Sequence, residues 1–371
     1  MFESFNPTPR ILMGPGPSNV SPRVLGALSR PTIGHLDPQF IGLMDEIKQL
    51  LQYAFNTQNP FTIALSAPGS AGMEACIVNL IEPGDKVIVC INGVFGGRLK
   101  ENIERVGAKA IVVEDKWGHP VSIEKVSDAF KANPEAKALA FVHAETSTGA
   151  CSDAKSLCQI AKQYNALSIV DAVTSLGGSE LRVDEWGIDA IYSGSQKCLS
   201  CVPGISPVSF SEKAVEVLKS RQSKVQSWFL DQSLVMDYWS GEGKRSYHHT
   251  APINSLYALH ESLLMLQQEG LENAWQRHQK LHETLRDGLE SLGITFLVDE
   301  AHRLPQLNSV LIPEGIDDVA VRSMLLNKYN LEIGAGLGQL AGKTWRIGLM
   351  GSTANEQNIA LLLAALRDAL K

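Results

Sequence analysis

The sequence lacks several things, and each absence removes a class of function. No apolar stretch approaches the roughly 20 residues needed to cross a bilayer. No run of Lys and Arg appears, and the net charge is -7 with a pI near 5.8. Nucleic acid and anionic membrane both demand a basic surface, so neither is an expected partner. Six cysteines in 371 residues do not make a disulfide framework. Cys76, Cys90, Cys151, Cys158 and Cys198 lie among apolar or small neighbours, as reduced thiols in a cytoplasmic protein do. The opening Met1-Phe2-Glu3-Ser4-Phe5-Asn6-Pro7 has no charged n-region or apolar h-region, so no signal peptide is expected. The closing Asp368-Ala369-Leu370-Lys371 is not a peroxisomal address.

Two familiar ligand signatures are also missing. There is no G-x-G-x-x-G dinucleotide fingerprint. Gly342-Lys343-Thr344 has Leu337 where a P-loop requires its first glycine. Cys198-Leu199-Ser200-Cys201 and His248-His249 have no second pair at zinc-ligand spacing, so no metal site is expected.

What is present is an alternation. Short apolar runs at 61–65, 86–91, 110–113, 138–142, 167–170, 190–193 and 206–210 read as strands. Amphipathic segments at 72–81, 98–106, 123–131 and 153–164 read as helices between them. That order predicts a mainly parallel sheet in a three-layer α/β/α domain, and the near-uniform apolarity of the strands fits a sheet covered on both faces. After about Trp228 the pattern changes to long helices at 252–268 and 271–292. Strands follow at 295–298, 307–312 and 344–349, with helices at 318–328 and 355–370. The expected organisation is an N-terminal arm over 1–20, a large domain over 21–269 and a smaller α+β domain over 270–371. The Pro- and Gly-rich segment up to Gly34 reads as extended.

Ligands of open α/β sheets gather where strands end. After the strand ending at Leu65 comes Ser66-Ala67-Pro68-Gly69-Ser70-Ala71-Gly72 and then a helix. Small residues before a helix N-terminus let backbone N–H groups approach an anion, phosphate being the natural guest. A plain tight turn is the alternative. The strand 168–170 runs into Asp171, a carboxylate that burial obliges to find a partner, a helix cap being the commonest. The strand at 191–192 runs into Ser193-Gly194-Ser195-Gln196-Lys197. A lysine there forms a Schiff base if its surroundings lower its pKa, and is otherwise a surface lysine.

In that order the three features resemble the fold-type I pyridoxal 5'-phosphate (PLP) enzymes. Within them the chain is similar to the class V aminotransferases, above all the alanine–glyoxylate and serine–pyruvate group. The resemblance rests on Gly14-Pro15-Gly16-Pro17-Ser18, Asn92-Gly93-Val94-Phe95-Gly96-Gly97-Arg98 and His143-Ala144-Glu145-Thr146-Ser147-Thr148-Gly149. It also rests on Val170-Asp171, Ser193-Gly194-Ser195-Gln196-Lys197, Tyr247-His248-His249-Thr250 and Arg346-Ile347-Gly348.

The resemblance implies Lys197 as Schiff-base lysine and proton carrier, and Asp171 as partner of the pyridine nitrogen. Phe95 would stack on the ring where relatives often carry Trp, Val173 would pack on the other face, and Thr146 would bond near the phenolic oxygen. Gly69, Ser70 and Gln196 would hold the phosphate. Pro68 stands where relatives often have Ser, so one hydroxyl contact is missing. Tyr247 and Thr250 would reach the phosphate of a neighbouring subunit, making a homodimer with shared sites. Arg346 would clamp the substrate carboxylate, with Gly16 offering an N–H to the same group; as a bare arginine on an apolar strand it would need an ion-pair partner.

The implied reaction is transamination from a small L-amino acid, alanine or serine, to glyoxylate or pyruvate. Serine–glyoxylate, aminoethylphosphonate–pyruvate and pyridoxamine–pyruvate transaminases are alternatives, as is a PLP-fold subunit with little catalysis. A cysteine desulfurase is disfavoured because no cysteine follows Cys201. The segment His35-Leu36-Asp37-Pro38-Gln39-Phe40 differs from mammalian-type relatives where the arm meets the site.

Overall fold

The structure is a computed structural model that describes residues 2–239 and 245–371. Its main sheet has seven strands, in the spatial order Phe61–Leu65, Ser206–Phe210, Ala190–Tyr192, Leu167–Asp171, Ala138–Val142, Lys86–Ile91, Lys109–Glu114. Every strand but one runs in the same direction. Ser206–Phe210 is antiparallel to both its neighbours, so the sheet is mainly parallel, as expected. The reversal has a local reason: no helix lies between Tyr192 and Ser206, so the chain returns beside the strand it left instead of crossing over. The connecting loop carries Lys197. Interior strands such as Ala138–Val142 and Leu167–Asp171 are buried at every position, whereas the edge strand Lys109–Glu114 is half open.

The N-terminal segment is more helical than its Pro and Gly content implies. Ser21 caps a helix at Pro22–Leu28, and Asp37 caps one at Pro38–Phe55 that ends on left-handed Asn56. Both place proline in the first turn, where a missing N–H is harmless. Phe40, Met44, Ile47, Leu51 and Phe55 form the buried stripe of the second. The first packs on Ile253–Glu269, with Arg23 and Arg30 both paired to buried Glu261.

A second, smaller core gathers Leu281, Leu285 and Leu289 with Val321, Trp345, Ile347 and Leu362. It is covered by an antiparallel sheet of Leu307–Leu311, Thr344–Gly348 and Gly334–Ala335. Met13 belongs to this core, and Ile11–Leu12 pairs with Leu331–Glu332, so the chain starts against its own C-terminal part. The run expected as a strand at 295–298 contributes a single bridge, Phe296 to Val310. Thr295 and Leu297 each share one backbone hydrogen bond with the strand Leu307–Leu311, and the chain then bends at Leu297-Val298, which ends the pairing.

Candidate active site

A cavity of about 220 Å³ opens at the carboxyl ends of the parallel strands. Val142, Asp171 and Tyr192, each the last residue of its strand, line it. So do Pro68, Gly69, Ser70, Phe95, Thr146, Val173, Gln196 and Lys197.

Asp171 is buried. Its Oδ1 accepts from the Val173 N–H at 2.8 Å and its Oδ2 from the Tyr192 hydroxyl at 2.7 Å. Both donors are neutral, and no Lys or Arg is within ion-pair distance among the described residues. Burial pushes the carboxyl up to about 6, against those two hydrogen bonds and the more distant charges of Lys197 and Arg98. A buried carboxylate short of a cation suits a protonated ring nitrogen.

Lys197 faces the opposite penalty. Burial first, and the Arg346 guanidinium second, push its ammonium down to about 8, opposed by Cys198 and Asp171. A lysine so shifted is partly neutral near physiological pH, hence nucleophilic. Its Nζ donates to the Pro15 carbonyl. Gly16 lies directly over it, with φ +104°, and a Cβ there would sit 2.5 Å from Nζ. Only glycine fits both the left-handed backbone and the approach of the lysine.

The helix Gly69–Leu80 starts at the cavity with Pro68 as its cap, and Pro68 offers no side-chain cap bond. The Ala71 N–H bonds the Pro68 carbonyl at 2.7 Å, and the Gly69 and Ser70 N–H groups await an acceptor. Gln196 adds a buried amide oxygen with no partner among the described residues. An anion at this helix end accepts from the free N–H groups; from Gln196 it takes only the side-chain NH2, because the amide oxygen is itself an acceptor.

Phe95 lies in the first turn of the helix Val94–Arg105, with the Arg98 guanidinium 4.8 Å above its ring. Thr146 and Val173 line the same space, and the side chain of Val173 packs within van der Waals reach of Gly69. These observations fit PLP on the chemistry of the donors: an unpaired carboxylate, a lysine with a lowered pKa, an uncapped helix end and an aromatic wall.

Arg346, buried on the strand Thr344–Gly348, has carbonyl partners only: its Nε donates to Ala335 O at 2.7 Å and one Nη to Thr146 O at 3.3 Å. The ion pair expected of a bare structural arginine is absent among the described residues. Burial pushes the guanidinium down to about 10, with Glu145 pulling the other way. Of the roughly five N–H donors of a guanidinium, most stay free for a carboxylate.

Tyr247 and Thr250 stand apart from this cavity. Both are exposed and they bond to each other at 3.3 Å, with His35 5.0 Å from the tyrosine ring. Between them, His249 Nε2 bonds the Ser66 hydroxyl at 2.7 Å, which ties the segment to the start of the phosphate loop.

Sequence reasoning missed Tyr192, Met73 and Arg98, which line the cavity. Tyr192 was detectable in principle: it stands beside Asp171 in the parallel register, one residue before Ser193. Among the described residues no cluster of His, Cys, Asp or Glu is arranged for a metal.

The cavity and fold together define a fold-type I PLP-dependent transferase. More narrowly, the chain belongs to the class-V aminotransferases, whose family model matches residues 19–356; members of that family depend on PLP. The alanine–glyoxylate aminotransferase of Callithrix jacchus is 40% identical over 98% of this chain and 88% of its own length. The crystal structure of an alanine–glyoxylate aminotransferase from Nostoc sp. is 47% identical, covers 100% of this chain and 98% of that one, and superimposes with a TM-score of 0.98. The ureidoglycine–glyoxylate aminotransferase of Bacillus subtilis is 38% identical, with a TM-score of 0.97 over 99% of this chain and 94% of its own.

Proposed function

We propose that the chain moves the amino group of a small L-amino acid, alanine or serine, to glyoxylate or pyruvate. The observation that carries this reading is Arg346, a buried guanidinium that has no carboxylate partner among the described residues and perturbs Lys197. A substrate α-carboxylate pairs with that cation and is held bidentately, with the Gly16 N–H as a further donor. The amino group is thereby presented to Lys197.

Bound PLP supplies the electron sink for the transfer. Lys197 Nζ would hold the cofactor and, with substrate bound, would carry a proton between substrate and cofactor. Asp171 keeps the ring nitrogen protonated, with Tyr192 and the Val173 N–H fixing its carboxylate. Phe95 and Val173 enclose the ring, and Thr146 orients it. Gly69, Ser70 and Gln196 hold the phosphate, with Pro68 shaping the turn but giving no hydroxyl.

Tyr247 and Thr250, exposed on their own chain, complete the phosphate site of a partner subunit, so the working form is a homodimer. The free cysteines agree with a cytoplasmic setting, and no helix among the described residues is long and apolar enough to cross a membrane.

The test is a donor panel on purified protein: alanine, serine, aminoethylphosphonate and pyridoxamine, each with glyoxylate and with pyruvate. The protein is expected to be yellow, to lose its visible band on alanine or serine alone, and to turn over with either oxo acid. Reaction only with pyridoxamine or aminoethylphosphonate overturns the substrate assignment. No half-reaction with any donor overturns catalysis itself.

A further inference from the structure

Glu145 is a buried carboxylate to which the proposed chemistry gives no role. It is fully shielded from solvent and meets four donors. Oε2 accepts from the Phe95 N–H at 3.2 Å and the Gly96 N–H at 3.3 Å. Oε1 accepts from the Ser147 N–H at 3.1 Å and the Ser147 hydroxyl at 2.5 Å. Ser147 Oγ in turn accepts the Val94 N–H at 2.9 Å. Glu145 and Ser147 thus cap the N-terminus of the helix whose first turn bears Phe95, a favoured place for a negative charge. The residue between them, Thr146, gives its carbonyl to Arg346.

Gly93 makes the arrangement possible. A Cβ at that position would collide with the Glu145 side chain and the Ser147 hydroxyl. Burial raises the carboxyl to about 7, with the Ser147 and Gly96 hydrogen bonds opposing the rise. A structural cap alone does not need a carboxylate held in so unfavourable a place; a serine or asparagine serves most helices.

We propose that Glu145 is a positioning residue: through its side chain and the Thr146 carbonyl, residues 145–147 lock the ring-stacking Phe95 and the carboxylate-clamping Arg346 into one geometry. Displacing Glu145 therefore weakens cofactor binding and substrate binding together. The inference rests on the roles given above to Phe95 and Arg346.

The test substitutes Glu145→Gln. All four partners donate, so an amide matches one side and sets its own NH2 against N–H or O–H on the other. Two readouts are taken: PLP affinity of the cofactor-free protein, by circular dichroism induced in the cofactor, and the KM-against-kcat split for the amino donor. Glu145→Gln is expected to weaken PLP affinity by about tenfold and to raise KM similarly, with kcat changed less. Phe95→Ala alone moves the first readout and Arg346→Lys alone the second.

If those two variants behave so while Glu145→Gln leaves both readouts at wild-type values, or lowers only the melting temperature, the positioning role is overturned and the site assignment stands. If Phe95→Ala and Arg346→Lys are themselves silent, the site assignment falls and this inference with it. Should Glu145→Gln fail to fold, Ser147→Ala frees the same carboxylate from one side. Smaller shifts in both readouts then support the proposal, and unchanged readouts overturn it.

Discussion

Asp171→Asn separates stability from catalysis by sign. In the cofactor-free protein the Asp171 carboxyl sits at about 6 against an ordinary 3.8, chiefly because it is buried. At about 1.4 kcal/mol per pH unit, holding it ionised near pH 7.5 costs the fold about 3 kcal/mol. Its folded value lies above its unfolded one, so the folded state binds the extra proton between about pH 4 and 6, and stability falls as pH rises through that window. Asparagine removes the charge. It still accepts the Val173 N–H through Oδ1, and its amide meets the Tyr192 oxygen, leaving the tyrosine proton to find another acceptor at a cost of about 1 kcal/mol. The cofactor-free variant is therefore expected to be about 2 kcal/mol more stable than wild type at pH 7.5, and the advantage should vanish at about pH 4.5, where the falling ionisation penalty equals the hydrogen-bond cost, and reverse below it. Chemical denaturation of both cofactor-free proteins across that range measures it. With PLP bound the balance reverses: the variant loses the ring's charge partner, and kcat/KM is expected to fall about a hundredfold or more. A cofactor-free Asp171→Asn protein that is less stable than wild type at pH 7.5, or a cofactor-saturated one with wild-type turnover, refutes the reasoning.

Other expectations follow from the same cavity. Arg346→Lys keeps a cation but not the fork, so KM for the amino donor should rise by about tenfold or more in steady-state kinetics; an unchanged KM removes Arg346 from the clamp. Gly16→Ala forces a side chain onto a φ of +104° and into Lys197, so both the melting temperature and the rate of PLP capture should drop. Lys197 reacts as the free amine, and its ammonium sits near 8. Capture of PLP by the cofactor-free protein should therefore accelerate as pH rises from 7 through about 8 and then level off, as stopped-flow absorbance will show.

Much of the fold was legible because strand order follows from local rules. Buried parallel strands must be apolar on both faces, and the runs at 61–65, 138–142 and 167–170 are. The antiparallel strand Ser206–Phe210 is buried at every position like its neighbours, so its burial does not announce its direction; the missing crossover helix does. The helix Pro38–Phe55 was hidden for another reason. It follows a Pro- and Gly-rich segment and opens on Asp37-Pro38, although the spacing of Phe40, Met44, Ile47, Leu51 and Phe55 is helical. In the cavity the order phosphate turn, Asp171, Lys197 could be read because each follows a strand. Tyr192, Met73 and Arg98 could not, because what brings them in is register and helix rotation.

Four ionisable groups around the site share one property. Burial drives each toward its neutral form: Asp171 up to about 6, Glu145 up to about 7, Lys197 down to about 8 and Arg346 down to about 10. A fold optimised for stability alone would pair them with each other, yet no two form an ion pair among the described residues. Asp171 instead takes neutral donors, Arg346 takes carbonyls, and Glu145 takes N–H groups and a hydroxyl. The charges are kept apart by hydrogen bonds that fix direction without cancelling charge. In the proposed assignment a cationic ring nitrogen then answers Asp171 and a carboxylate answers Arg346. Each ligand relieves a penalty already built into the protein, which makes binding strong where the charges match and weak where they do not. A substrate with its carboxylate removed loses more than one contact, because it leaves the Arg346 cation buried and unmatched.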